Sequence, residues 1–193
     1  MVEPGTPPGV PGERPDPTAR AAPQTARACK VGPMDEPDFF QRLLQEHALI
    51  EERLKQLDAA AAALARDERD PKALARVAET LAFFDGDGAR HEADEEVTLF
   101  PRLRGLPEFR QIVSALEFQH RMTATEGRAL AACVEGYAPG SGRELRRLAY
   151  RFAEMHRGHA LAEERALFPL AAATLAPKVQ LELSREMRER NRA

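Results

Sequence analysis

The sequence predicts an all-α protein: an up-down-up-down four-helix bundle with a short fifth C-terminal helix and a disordered N-terminal tail. Three observations predict it. Apolar residues recur at alternating spacings of three and four through four long segments; proline and glycine retreat, beyond Met34, to positions that start helices; and each long segment carries a histidine in phase with its apolar stripe.

The elements follow in order. Residues 1–33 hold eight of the 15 prolines and four of the 12 glycines with almost no large apolar side chain, so they cannot offset the entropy of ordering and are read as a disordered Pro/Gly-rich tail. The bundle occupies residues 34–175 and the C-terminal helix 176–193. Asp35-Glu36-Pro37, Asp70-Pro71, Leu106-Pro107 and Gly140-Ser141-Gly142 look like helix starts, and the fifth helix begins near Lys178. The first helix carries a stripe at Phe40, Leu43, His47, Ile50, Leu54 and Leu57. The second runs Leu74, Val77, Leu81, Phe84, Gly88, His91 and Glu95, the stripe staying in phase across Gly86 and Gly88 although each glycine costs roughly 1 kcal/mol of helix stability. Phe109, Val113, Leu116 and His120 share a face in the third helix; Leu145, Leu148, Phe152, Met155, His159 and Glu163 do so in the fourth.

The pattern His-x-x-x-Glu-Glu-x-x-Leu-Phe-Pro occurs twice, as His91 to Pro101 and as His159 to Pro169, with His47 and His120 well upstream of each copy. Four positions on is one helical turn away on the same face, so each His-x-x-x-Glu presents a nitrogen and a carboxylate toward one point. With turns near residues 68, 104 and 139, His47 and His91 lie level to within about 3 Å at 1.5 Å per residue, and the other pairs behave similarly. One layer of the bundle thus collects all four imidazoles. A single histidine in an apolar stripe is ordinarily a hydrogen-bonded core residue. Four of them with two carboxylates would leave an apo core poorly satisfied, and a metal cluster resolves that conflict by supplying charge. Four imidazoles and two carboxylates suit iron, although zinc, copper and manganese accept the same donors.

Composition bounds the rest. The 193 residues, 43% hydrophobic and 31% charged, allow one domain plus a tail. A formal net charge of -3, from 28 basic against 31 acidic residues, leaves no extended basic patch and argues against nucleic acid as the main partner. Cys29 and Cys133 are too few for a disulfide framework, which fits a reducing cytoplasm. Neither a signal peptide nor a membrane span of about 18 apolar residues is present, so a soluble, cytoplasmic protein without a membrane partner is expected.

His47, His91 with Glu95, His120, and His159 with Glu163 resemble, position by position, the ligand set of the hemerythrin-like or HHE cation-binding family, and the trailing Leu-Phe-Pro is typical of it too. The resemblance covers about residues 35 to 172. It implies a four-helix bundle holding two non-haem iron ions, with Glu95 and Glu163 bridging them, an oxo or hydroxo group completing the bridge, and the four histidines as terminal ligands. Oxygen-carrying members place a further histidine one turn after the third-helix ligand, where this chain has Ala124. That leaves an open position for water or a diatomic gas. His156, three residues before His159, and Glu92, next to His91, are additional candidate ligands, each weighed against a partly exposed or solvated role. Glu51 reads as a supporting or surface group. Iron-sulfur-cluster repair proteins share the same ligands but add an N-terminal domain with cysteines, which a tail holding only Cys29 does not supply. A ferritin-like oxidase needs Glu-x-x-His twice, and the chain offers it once, at Glu117 to His120.

The expected function is therefore a di-iron protein that binds or senses O2 or NO. The alternatives are an enzyme that reduces NO or peroxide or oxidises iron, an iron-sulfur repair protein, and an iron store. The gas, the electron donor and the oligomeric state are not written in the sequence.

Overall fold

The first helix, α1, spans Phe39–Leu64 and is started by Asp38, whose carboxylate accepts from the Gln41 backbone N–H at 2.8 Å while the Gln41 side chain faces back to the Asp38 N–H. Such a capping box is worth about 1 kcal/mol. The structure is a computed structural model and describes residues 38–191. The expected disordered tail and the expected start at Asp35-Glu36-Pro37 lie outside the described residues.

A second helical rod, α2, covers residues 71–104. It begins at Pro71 with Asp70 as N-cap, accepting from Lys72 and Ala73. A 3-10 turn, Pro107–Phe109, leads into α3, Arg110–Glu135. The rod α4 covers residues 142–174, and α5 spans Pro177–Arg190. There is no strand among the described residues. Along α2 and α4 the architecture departs from the uninterrupted α-helical stripe expected of them: π-helical stretches occupy Phe84–Gly88, Asp94–Leu99 and Glu163–Leu167. A π turn holds an extra residue, so it shifts the phase of whatever follows. Upstream of the first, the buried positions are Ala73, Val77 and Thr80, with Leu74 and Leu81 only half-buried.

α1 packs along α2 and α4, and α3 along α4 and α2, which closes the bundle; α5 lies across α1 and the π stretch Asp94–Leu99. Short connections make the neighbours antiparallel. The turn from α3 to α4 is tied to the connection between α1 and α2 by Glu68, whose carboxylate accepts from the Gly140 and Gly142 N–H groups at 2.5 and 3.2 Å. Gly142 is required there, because a Cβ would stand 2.7 Å from the Leu64 carbonyl oxygen.

Two apolar clusters fill the interior. One is built on Phe39, Leu43, Phe100, Leu103, Phe109 and Leu116, with Leu183 and Met187 of α5. The other gathers Leu54, Leu57, Leu64, Val77, Leu130, Leu145 and Phe152. Their separation along the helices places a polar layer between them, and that layer holds the histidines.

Candidate metal centre

His47, His91, His120 and His159 are buried at 4–6% exposure, and Glu95 and Glu163 are fully buried at 0%. Each helix of the bundle contributes one imidazole. The Nε2 atoms meet in pairs: His47 and His91 at 3.1 Å, His120 and His159 at 3.0 Å. The i, i+4 geometry read from the sequence holds in both copies of the motif, with His91 Nε2 3.2 Å from Glu95 Oε1 and His159 Nε2 3.2 Å from Glu163 Oε2. Each carboxylate also reaches the other pair, Glu95 Oε2 lying 3.3 Å from His120 and Glu163 Oε2 3.3 Å from His47.

The donors therefore form two groups, His47, His91, Glu95 and Glu163, and Glu95, His120, His159 and Glu163, with the atoms of each group within 4.8 Å of one another. Both carboxylates belong to both groups. Two tests bear on whether cations fit. Nitrogens 3.0–3.1 Å apart have the spacing of adjacent ligands each about 2.1 Å from one ion. And all four oxygens of Glu95 and Glu163 are buried without a hydrogen-bond partner, joined among the described residues only by the Tyr137 hydroxyl far from the site. Buried carboxylate oxygens cost several kcal/mol unless something positive meets them.

The electrostatics express the same demand. Burial would lower His91 and His159, but Glu95 acting with Glu46, and Glu163 acting with Glu95, outweigh it and raise them to about 9 and about 10. Burial would raise Glu95, yet His91, His120 and His159 hold it well below the usual carboxylate range. The cluster attracts positive charge strongly, and metal binding would release the protons it gathers.

Around this set stands a second layer that the sequence reading missed. His47 Nδ1 donates to Glu164 at 2.9 Å, His91 Nδ1 to Glu46 at 3.0 Å, His120 Nδ1 to Glu96 at 2.8 Å, and His159 Nδ1 to Gln119 at 3.0 Å. These bonds fix each ring with Nε2 pointing inward. The signal was present in the Glu-Glu doublet of both motif copies: the first glutamate faces the centre, and the second orients the lone histidine of another helix. The Phe of each Leu-Phe-Pro then stacks on that same ring, Phe100 on His120 at 5.9 Å and Phe168 on His47 at 5.5 Å. Each copy thus cradles an upstream histidine as well as offering two donors of its own.

The π turns make this possible. Glu95 and Glu163 stand at or beside the starts of π stretches, so residues four and five further on, Leu99 with Phe100 and Leu167 with Phe168, all turn inward and are buried. Pro101 and Pro169 follow where α-helix resumes. The backbone hydrogen-bond register is changing there, so the missing N–H costs less than in a regular helix.

The other candidates fall elsewhere. His156 and Glu92 belong to neither donor group. His156 Nδ1 donates to the Phe152 carbonyl at 3.0 Å, and its ring packs 4.5 Å from Phe84 and 4.3 Å from Phe152. Burial pushes it down to about 4, so it is neutral. His156, Glu92 and Phe84 stand between two hollows. The inner one, about 20 Å³, is bounded by His47, His91 and His159; the outer, about 400 Å³ and half open, is lined by Ala124, Gly127 and Arg128 among others. Glu51 joins Asp58 and Glu154 around Arg157, tying α1 to α4 away from the centre. Glu117 pairs with Arg104 and points outward.

The sequence profile of the hemerythrin HHE cation binding domain matches residues 38–171. The chain belongs to this family. A comparison with curated proteins gives no match. As an HHE domain it is a cation-binding helical protein, and the buried His/Glu cluster is where its donors converge. No helix among the described residues is long and apolar enough to cross a membrane.

Proposed function

We propose that this hemerythrin-type domain holds two non-haem iron ions, bridged by Glu95 and Glu163 with an oxo or hydroxo group and terminally held by His47, His91, His120 and His159, and that it binds or senses O2 or NO. The observation that carries the reading is the set of four orphaned carboxylate oxygens between two imidazole pairs. A single ion would leave one pair without a charge to face. Bound iron supplies an exchangeable coordination position and a reversible change of oxidation state.

The chain's own residues do the rest. The apolar layers on either side exclude water from the centre, and the four Nδ1 hydrogen bonds keep Nε2 free and aimed. The inner hollow of about 20 Å³ has the volume of one water or one diatomic molecule, and its walls include Ile50, Phe84, Gly88 and Ala160. Gly88 leaves room for the Phe84 ring, since a Cβ there would approach it to 3.0 Å.

A second reading, turnover of NO or peroxide, is favoured by one feature. The half-open outer hollow brings solvent to Glu92 and His156, which gives protons and reductant a route that a carrier would close. Ala124, lining that hollow, is small where a bulkier residue would narrow it.

The test is metal content with an optical spectrum, taken before and after anaerobic reduction and exposure to each gas. Two irons per chain with near-ultraviolet bands that bleach and return support the di-iron reading, and a stoichiometric, reversible gas adduct supports binding. Catalytic loss of peroxide or NO without a stable adduct would replace binding with turnover. One tightly held zinc, or no metal, would defeat both.

A further inference from the structure

The two halves of the centre correspond residue for residue except at one pair. In one half His91 of α2 is oriented by Glu46, the residue before His47; in the other His159 of α4 is oriented by Gln119, the residue before His120. The lone histidines show no such difference, His47 being oriented by Glu164 and His120 by Glu96. A carboxylate accepting from Nδ1–H pushes electron density toward Nε2 and adds a negative charge near any cation held there, whereas a neutral amide oxygen does less of both. One cation position therefore has two carboxylate-backed imidazoles and the other has one. Glu95 and Glu163 belong to both positions, so the difference between them lies in what backs the imidazoles. Solvent screening works in the same direction, because the glutamates backing the first position, Glu46 and Glu164, have side chains 24% and 39% exposed, and the one backing the second, Glu96, 45%.

We infer that the two cation positions are unequal, that the His47/His91 position binds a divalent transition-metal ion more tightly, and that Gln119 is the positioning residue that sets the inequality. The inference rests on the two-metal reading above. At limiting metal the chain holds one ion, at His47 and His91, and the His120/His159 position is the one that fills late and empties first.

The experiment titrates the chelator-stripped full chain anaerobically with Co2+ alone, following its visible bands against a competing chelator, in the wild type, Glu46→Gln and Gln119→Glu. Both substitutions preserve side-chain shape, and circular dichroism checks that the helices persist. The wild type should fill in two steps about tenfold or more apart. Glu46→Gln should weaken the first step, and Gln119→Glu should tighten the second and bring the two together. Tighter binding from a substitution cannot arise from damage to the fold, which separates positioning from mere structure. Two ions bound with equal affinity in the wild type, or a second step that Gln119→Glu weakens, would overturn the inequality and leave the two-metal reading standing. Uptake of fewer than two ions would overturn both together.

Discussion

The two copies of the motif, His91 to Pro101 in α2 and His159 to Pro169 in α4, use the same residue types at the same offsets but are held by different means. In the first, the start of the π stretch is latched from outside: Asp94, 1% exposed, pairs with Arg190 of α5, which also donates to Thr98 Oγ1 at 2.6 Å. In the second, Ala162 stands in the place of Asp94, and its methyl group cannot form such a pair. The repeat supplies a near-symmetric donor set, and what lies around it breaks the symmetry. The first copy is tied to the C-terminal helix by an ion pair, whereas the second shares with that helix only the apolar cluster that holds Leu167, Phe168, Leu183 and Met187.

The comparison is broken most completely at the carboxylates. Glu95→Ala removes contacts to His91, His120 and His159 at 3.2–3.8 Å, and Glu163→Ala removes those to His47 and His159. Each should lose at least one metal per chain by elemental analysis, Glu95→Ala the more, while Glu52→Ala, at an exposed position on α1, should lose none. Full metal retention in both carboxylate variants would refute the donor assignment.

Next in size is the latch. Arg190→Ala leaves the buried Asp94 carboxylate without its cation, which should cost about 3 kcal/mol in urea unfolding. Adding Asp94→Asn should restore part of the loss. Equal stability with and without Arg190 would mean that α5 does not hold the first copy.

The doublet glutamates come third. Glu96→Gln and Glu164→Gln should each weaken metal binding by about tenfold without unfolding the bundle, and by similar amounts, because their roles toward His120 and His47 match. Chelator competition measures it, and an effect confined to one variant would show that the copies are less alike than their geometry.

The smallest effect concerns pH. His156, lowered by burial to about 4, is neutral when folded but gains a proton near 6.5 when unfolded, so its share of stability is present above pH 6.5 and is lost as pH falls toward 4. The metal-free protein should lose about 1 kcal/mol between pH 6.5 and 5.5 from this residue alone. His91 and His159, raised to about 9 and 10, are already protonated in the folded chain over that window while the unfolded chain is still gaining their protons near 6.5, so each opposes the loss by about 0.4 kcal/mol. His156→Phe should flatten the acid limb of a denaturation series, and an unchanged slope would assign it to other groups.

Much of this was legible because it is periodic. The apolar stripes fixed four helices and placed His47, His91, His120 and His159 in one layer, since i, i+3, i+4 spacing reports directly on a helix face. The π turns were not legible: His-x-x-x-Glu reads the same whether the helix widens after Glu95 or not, and the extra residue is revealed only by Leu99 and Phe100 both turning inward. Glu46 and Gln119 were overlooked because their partners lie 45 and 40 residues away, and a polar residue beside a core histidine carries no local mark of its task. The Asp94–Arg190 pair spans 96 residues for the same reason. The Glu-Glu doublet, by contrast, was visible twice and could have been assigned.

The widened turns at Asp94–Leu99 and Glu163–Leu167 also bear on how such a chain could arise or be simplified. Each is equivalent to one inserted residue, and removing one residue from each would restore an ordinary helix while rotating everything beyond it by about 100°. Phe100 and Phe168 would swing away from the rings they stack on, and the shortened protein would be a more regular bundle with a poorer grip on its histidines. An engineer seeking a stable, inert scaffold should make those two deletions, and a lineage that began from such a scaffold would have needed both insertions to reach this one.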